Sequence, residues 1–260
     1  MLKDKVIILT GAAGGIGSGT AKMLAKNGAK LMLCDINQAG LEALRSEIQA
    51  NGAQCEIYCG DVTNYEQMQE MAEKTNALFG RIDVLVNNAG GSGALIGKIT
   101  QFEDAELDTI RFVMELNVFG TIHCTKAVLP YMKTQMRGKI INFSSIAGVA
   151  GLATRVDYSA AKGAILSFTK ALAMEVGKYN ISVNSISPGM IKRREKEDSD
   201  GPHAPGSTYM GPLGEGGYPS DVAAAVVFFA SDGANFITGE NLLVDGGRTL
   251  GPEDKEGGQE

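Results

Sequence analysis

A doubly wound α/β fold, with a parallel sheet covered by helices on both faces, is what this sequence predicts, on three observations. Short apolar runs alternate with longer stretches of helical period along most of the chain. The runs are apolar at consecutive positions rather than at every second one, as strands buried on both faces must be. A glycine-rich turn, "TGAAGGIG", leads directly from the first run into the first helical stretch.

The elements follow in order. "KVIILT" reads as a strand, "IGSGTAKMLAKNG" as a helix, "KLMLCD" as a strand and "AGLEALRSEIQANG" as a helix. "CEIYCGD", "EQMQEMAEKTNALFG" and "IDVLVNNAG" continue the alternation. Strands joined by helices in this way pair in parallel through right-handed crossovers. The second half adds a helical region near 103 to 136, the strand "GKIINFS", a helix from about Asp157 to Tyr179 and the strand "ISVNSIS". The helix "SDVAAAVVFFASD" and the strand "ENLLVD" close the pattern. Between them, "PGMIKRREKEDSDGPHAPGSTYMGPLGEGGYP" loses the hydrophobic period and is rich in Gly, Pro and charge, so residues 190–218 are expected to form a substrate loop or lid. Residues 1–250 are expected to make one domain, with 251–260 a flexible acidic tail.

Composition narrows the function. Half of the net charge of −6 falls on the last ten residues, "GPEDKEGGQE", so the body is only mildly acidic. There is no basic patch with interleaved aromatics to hold nucleic acid and no apolar run long enough to span a bilayer. The apolar part of "MLKDKVIILT" is too short for a signal peptide, so the protein is expected in the cytoplasm. Cys34, Cys55, Cys59 and Cys124 have neither CxxC nor zinc-ligand spacing and read as reduced thiols. His123 and His203 are isolated, so no metal site and no histidine catalysis is expected.

Two clusters of residues carry chemistry. In "TGAAGGIG", Gly11, Gly15 and Gly17 let the backbone turn sharply and approach a ligand, and the helix that follows turns its positive end toward an anion such as a pyrophosphate. The spacing is GxxxGxG rather than GxGxxG, and a glycine turn without a ligand is the competing reading. Asp35 closes the second strand, where an acid can accept the ribose hydroxyls of an adenosine and repel a 2′-phosphate. No Arg or Lys lies in the glycine loop or just after Asp35, so NAD is favoured over NADP; a loop-capping role is the alternative. "GDVTN" and "NNAG" stand at carboxyl ends of strands, where ligands bind in open α/β sheets, although their residues are also turn formers.

At the reacting end, Tyr158 and Lys162 are four apart on one helix face, and no other tyrosine has a lysine four residues later. A free phenol titrates near 10, so accepting a proton near neutral pH requires about 3 to 4 kcal/mol. An ammonium at about 4 Å, with an effective dielectric near 20, supplies about that much. Tyr158 is therefore a candidate general base for alcohol oxidation and general acid for ketone reduction. A serine hydroxyl after the strand "GKIINF" can donate to the substrate oxygen, and Ser144 and Ser145 both qualify. Asn117, in "ELNVFG", interrupts a helical stretch with a side chain that favours irregular backbone.

Taken in order, "TGAAGGIG", "NNAG", "LNVFG", "SS" ahead of "YSAAK", "SPG" and "ITGENLLVDGG" resemble the short-chain dehydrogenase/reductase family over nearly the whole chain. The resemblance implies a Rossmann-type seven-stranded sheet, a nicotinamide cofactor and a homotetramer. It implies that Tyr158 is the acid/base and that Lys162 lowers its pKa and holds the nicotinamide ribose. It also implies that Ser145, thirteen residues before the tyrosine, orients the substrate, and that Asn117 holds a water near Lys162 in a proton relay. By the same likeness Gly11, Gly15, Ile16, Gly17, Asp35, Asp61, Val62, Asn88, Ala89, Gly90, Pro188, Gly189 and Ile191 contact the cofactor, together with Tyr158 and Lys162.

The chain departs from the family after "PG", where Arg193 stands in place of a frequent threonine. Lys192, Arg193 and Arg194 are expected at the lip of the site, where they would favour an anionic substrate unless balanced by Glu195, Glu197 and Asp198. The function expected is metal-independent hydride transfer between NAD and a small secondary alcohol or ketone. The alternatives are an NADPH-dependent 3-oxoacyl-type ketone reductase and a catalytically silent dinucleotide sensor.

Overall fold

The computed structural model describes residues 1–192, 211–213 and 216–251. Its strands are β1 (Val6–Thr10), β2 (Lys30–Asp35), β3 (Cys55–Cys59), β4 (Val84–Asn87), β5 (Gly138–Phe143), β6 (Ile181–Pro188) and β7 (Asn241–Val244). They form one parallel seven-stranded sheet in the order β3-β2-β1-β4-β5-β6-β7. The helices are α1 (Gly15–Lys26), α2 (Gln38–Ala50), α3 (Tyr65–Phe79), α4 (Leu107–Met114), α5 (Gly120–Gln135), α6 (Ile146–Ala150), α7 (Val156–Val176) and α8 (Pro219–Ala230). The doubly wound, Rossmann-type fold expected from the sequence is the one observed.

Alternate strand residues build two cores, because successive side chains leave a strand on opposite faces. Ile7 and Leu9 of β1, with Leu31 and Leu33 of β2, pack beneath α1, α2 and α8. Ile8, Met32 and Cys34 pack on the other face with Met68 and Met71 of α3, Val128 of α5 and Val176 of α7. Each fully buried Leu or Ile contributes about 1.5–3 kcal/mol, enough together to fix the register of every strand. That register places the carboxyl ends of β1, β4, β5 and β6 along one rim, and the strand order reverses between β1 and β4, where open α/β sheets form their ligand crevice.

The helical region from 103 to 136 is not one helix. A short 3-10 turn (Phe102–Asp104) precedes α4, and a π-helical turn, Glu115–Phe119, joins α4 to α5. The cause lies at Asn117, whose side chain donates to Val113 O (2.8 Å) and so competes with the backbone for the acceptor four residues back. The helix expected at Asp157 begins one residue earlier and ends in a 3-10 turn, Gly177–Tyr179. Cys34, Cys55 and Cys124 are buried free thiols and Cys59 is an exposed one.

α6 and α7 meet at a glycine. A Cβ on Gly148 would stand 2.5 Å from the Lys162 carbonyl carbon and 2.7 Å from Gly163 N. Because this contact sets how close Ser145 and Lys162 can come, Gly148→Ala should push the helices apart. The expected result is a loss of about 1–3 kcal/mol in urea unfolding, with a fall in kcat that persists where the variant is fully folded.

Candidate active site

The glycine loop follows β1. Gly11 has φ +63, and a Cβ there would meet Ala89 Cα at 2.8 Å; a Cβ on Gly17 would run into the Gly11 carbonyl oxygen. Both positions therefore exclude any other residue, and the chain folds tightly over the amino end of α1. Gly14 caps α1 without a side-chain hydrogen bond, and the first bond into the helix is Ser18 N–H to Gly14 O (2.8 Å). The amides of Gly15, Ile16 and Gly17 precede that bond and lack an intrahelical acceptor, as helix starts do. Asp35 faces the same loop: its Oδ2 accepts from Ala13 N (2.9 Å) and its Oδ1 from Asn37 N (3.0 Å).

β4 is tied to this loop by hydrogen bonds. Asn88 Nδ2 donates to Thr10 O (2.9 Å) and Gly11 O (3.0 Å), while Thr10 Oγ1 accepts from Asn88 N (3.2 Å) and Ala89 N (3.1 Å). Asn88 thus spends its amide on the loop itself, which sequence reasoning did not reveal; nor did it single out Thr10. Asp61 is exposed and its Oδ1 accepts from Thr63 N (2.8 Å), whereas Val62 is buried against α5. At the end of β6, Gly189 N donates to Val244 O (2.9 Å), while Pro188 closes the strand and Ile191 packs on the first core. These residues fit a dinucleotide: a cradle that a Cβ would fill, helix-start amides without an intrahelical acceptor, and an acid at the tip of β2 that forms no ion pair among the described residues.

The reacting groups gather beyond β4 and β5. Lys162 is 3% exposed and donates to Phe143 O (2.9 Å), its Nζ 5.7 Å from the centre of the Tyr158 ring. Ser144 Oγ donates to Lys162 O (2.8 Å) and is turned into α7. Ser145 instead caps α6, accepting from Ala147 N (3.1 Å), and its hydroxyl favours the ionised form of the Tyr158 phenol. Asn117 is fully buried; its Nδ2 donates to Gly91 O (2.7 Å) and Val113 O, and its Oδ1 accepts from Gly91 N (3.0 Å). A Cβ on Gly90 would lie 2.5 Å from Asn117 Oδ1 and 3.0 Å from Lys162 Nζ, so these polar atoms converge on a position only glycine leaves open. Asn117 therefore anchors the turn after β4.

The electrostatics modify one expectation. Burial raises the pKa of Tyr158 above the ordinary phenol value; the Ser145 hydrogen bond and the Arg155 charge oppose it without cancelling it. Burial alone lowers Lys162 to about 8. Each group is pushed toward its neutral form, so the protein's own charges do not make the phenolate that sequence reasoning credited to Lys162.

At the ends of the 190–218 segment, Lys192 N donates to Gly217 O (2.8 Å) and Lys192 Nζ to the Tyr218 hydroxyl (2.6 Å). Arg193 and Arg194 lie outside the described residues. The structure brings forward another cation, Arg155, whose Nη1 donates to Ser92 Oγ (3.0 Å) beside the reacting groups. The sequence held a signal for it, since Arg155 is the one charged residue from Ile140 to Val156.

Residues 11–249 match the family described as enoyl-(acyl carrier protein) reductase. The chain belongs to the short-chain dehydrogenase/reductase family. It is 35% identical to 3-oxoacyl-(acyl-carrier-protein) reductase FabG of Thermotoga maritima, over 96% of this chain and 99% of that one. It is 38% identical to L-fucose dehydrogenase of Bos taurus, over 97% and 92% of the two chains. Its fold superimposes on a crystal structure of NAD+-bound xylitol dehydrogenase with a TM-score of 0.84, at 32% identity, covering 95% of this chain and 99% of the other. This short-chain dehydrogenase/reductase is an oxidoreductase that interconverts alcohols and ketones with a nicotinamide cofactor.

Burial of Lys162 gives a test with a definite sign. Its pKa is about 8 in the folded chain against 10.5 unfolded, so the ammonium costs about 3 kcal/mol below pH 8, and that cost fades as pH rises from 8 toward 10.5. Losing the bond to Phe143 O offsets about 1 kcal/mol. Lys162→Met is therefore expected to abolish turnover yet unfold at a higher temperature than the parent at pH 7, with the gap closing by about pH 10.

Proposed function

We propose that the enzyme is an NAD-dependent dehydrogenase of small secondary alcohols, working without a metal, and that Tyr158 is its acid/base. The observation that carries this reading is the convergence of Ser145, Tyr158, Lys162 and Asn117 at the carboxyl ends of β4 and β5, beside a glycine loop faced by Asp35. NAD is favoured over NADP because the Asp35 carboxylate repels a 2′-phosphate and the nearest basic residue after it in sequence is Arg45, ten positions on.

The loop amides and Asp35 would hold the pyrophosphate and adenosine ribose, and Lys162, with donors to spare beyond Phe143 O, the nicotinamide ribose. When bound, the cofactor supplies the hydride acceptor for alcohol oxidation or the hydride donor for ketone reduction. Ser145 donates a hydrogen bond to the substrate oxygen, and Tyr158 takes the hydroxyl proton as the carbinol carbon is oxidised. Because Tyr158 is buried and raised, its ionisation relies on positive charge delivered next to it, as an oxidised nicotinamide would do. Proton return to solvent runs from Tyr158 toward Lys162 and the turn held by Asn117, where a relay water would sit.

The enzyme is proposed to work in the cytoplasm, in keeping with unpaired cysteines, and as a homotetramer. Exposed Phe112, Phe119 and Met174 on the α4–α5 segment and α7, with Leu242 and Leu243 on the edge strand β7, suit subunit contacts. The likeness to an acyl-carrier-protein reductase supports a second reading, ketone reduction with NADPH.

Reduction of NAD and NADP by the purified enzyme, over a panel of secondary alcohols, separates the readings. Turnover with NAD at a kcat/KM at least 100-fold above that with NADP is expected, narrowing below tenfold in Asp35→Ser, and Tyr158→Phe should lose at least 1,000-fold with either cofactor. A parent preference for NADP would overturn the Asp35 argument and favour the reductase.

A further inference from the structure

The loops that leave β4, β5 and β6 carry exposed apolar side chains, Leu95 and Ile96, Val149 and Leu152, and Met190. A charge among them stands out, and Arg155 is one. It sits at the amino end of α7, three residues before Tyr158, following Thr154 in left-handed backbone (φ 62). The guanidinium is half-buried and reaches back to Ser92, itself 8% exposed, in the loop after β4. Among the described residues no carboxylate forms an ion pair with it: Glu106 takes Lys98, Asp108 takes Arg111, and Asp157 Oδ1 accepts from Tyr158 N. A guanidinium offers five donors in a planar fork, and one bond to a serine leaves most of them unused. Arg155 stands at the N-cap of α7, three residues before Tyr158, on the end of the helix that carries the reacting phenol, and its charge favours the phenolate there. A half-buried cation that has no acid partner among the described residues, at the head of the catalytic helix and near exposed apolar loops, is the arrangement that an acid group on the substrate completes.

We infer that Arg155 is the substrate's carboxylate anchor, so that the enzyme prefers a hydroxy acid, a secondary alcohol and a carboxylate carried on an apolar frame, over a neutral alcohol or polyol. A carboxylate is favoured over a phosphate because a single guanidinium matches a single negative charge. The inference rests on the proposed alcohol oxidation at Tyr158. It also moves the anion-recognising role from Lys192, which is engaged with Tyr218, to a residue at the start of the helix that carries Tyr158.

The test uses two alcohols of matched shape, trans-4-hydroxycyclohexanecarboxylate and trans-4-isopropylcyclohexanol, with the purified full chain. Oxidation by NAD gives KM and kcat. Calorimetry of each alcohol on NADH-loaded protein, where alcohol and cofactor are both reduced and no reaction runs, gives Kd. The parent should bind the acid at least tenfold more tightly than the neutral alcohol. Arg155→Gln should raise Kd and KM for the acid about 10- to 100-fold, the range of a charge-assisted pair, and change the neutral alcohol less than about threefold. Arg155→Lys should recover part of the loss. Equal binding of both alcohols by the parent, an unchanged Kd in Arg155→Gln, or Ser92→Ala reproducing the whole defect would overturn the anchor, the last by showing that Arg155 only ties two loops. Failure of the redox reading looks different: neither alcohol is turned over, while the acid still binds the parent more tightly than Arg155→Gln.

Discussion

The structure depends most on burying the ammonium of Lys162. A cation 3% exposed, with one carbonyl acceptor among the described residues, is unfavourable unless its surroundings are built for it. β5 presents Phe143 O at its carboxyl end, Ser144 just past the strand donates to the Lys162 carbonyl, and Gly148 lets α6 pack against α7 at Lys162. Gly90, which leaves room for Lys162 and Asn117, is held in turn by the π-helical turn in which Asn117 sits. Removing the charge would make a more stable protein and a poorer catalyst, the exchange expected where a site stores an unfavourable group for chemistry.

The same logic governs the opposite side of the crevice. The glycine loop is tight because Gly11 and Gly17 have no room for a side chain, and it is held to β4 by Asn88 and Thr10 rather than by packing. Those bonds fix the distance between the seat for a dinucleotide and the reacting cluster, since both hang from the carboxyl ends of neighbouring strands. The ligand crevice thus comes from strand order, and the precision within it from polar side chains that serve the backbone first.

Much of this was legible in the sequence. Consecutive apolar residues in "KVIILT" and "KLMLCD" implied strands covered on both faces, and the spacing from Ser145 to Tyr158 to Lys162 carried the reacting cluster. The irregular backbone at Asn117 was foreseen from its side chain, but the π-turn and the use of its amide on Gly91 depend on a neighbour 26 residues away. Local propensity holds no such information. That the Asn88 amide ties the glycine loop was likewise illegible, for the same reason. The direction in which Tyr158 moves was illegible because spacing gives proximity to Lys162 but not burial, and burial dominates. Arg155 was not singled out in the sequence, and its place emerged only when Ser92, 63 residues away, was found to hold it.

The account stands on a phenol and an ammonium that burial holds in opposition until a positively charged ligand arrives. Carbon-13 labelling of the tyrosine ring, with the Tyr158 resonance assigned by its loss in Tyr158→Phe, reads that phenol directly during a pH titration. Without ligand, Tyr158 should titrate above the ordinary phenol value of about 10, and addition of oxidised nicotinamide dinucleotide should bring it down. Titration well below 10 in the unliganded protein, unchanged by the dinucleotide, would mean that Lys162 alone activates the tyrosine and would contradict the account.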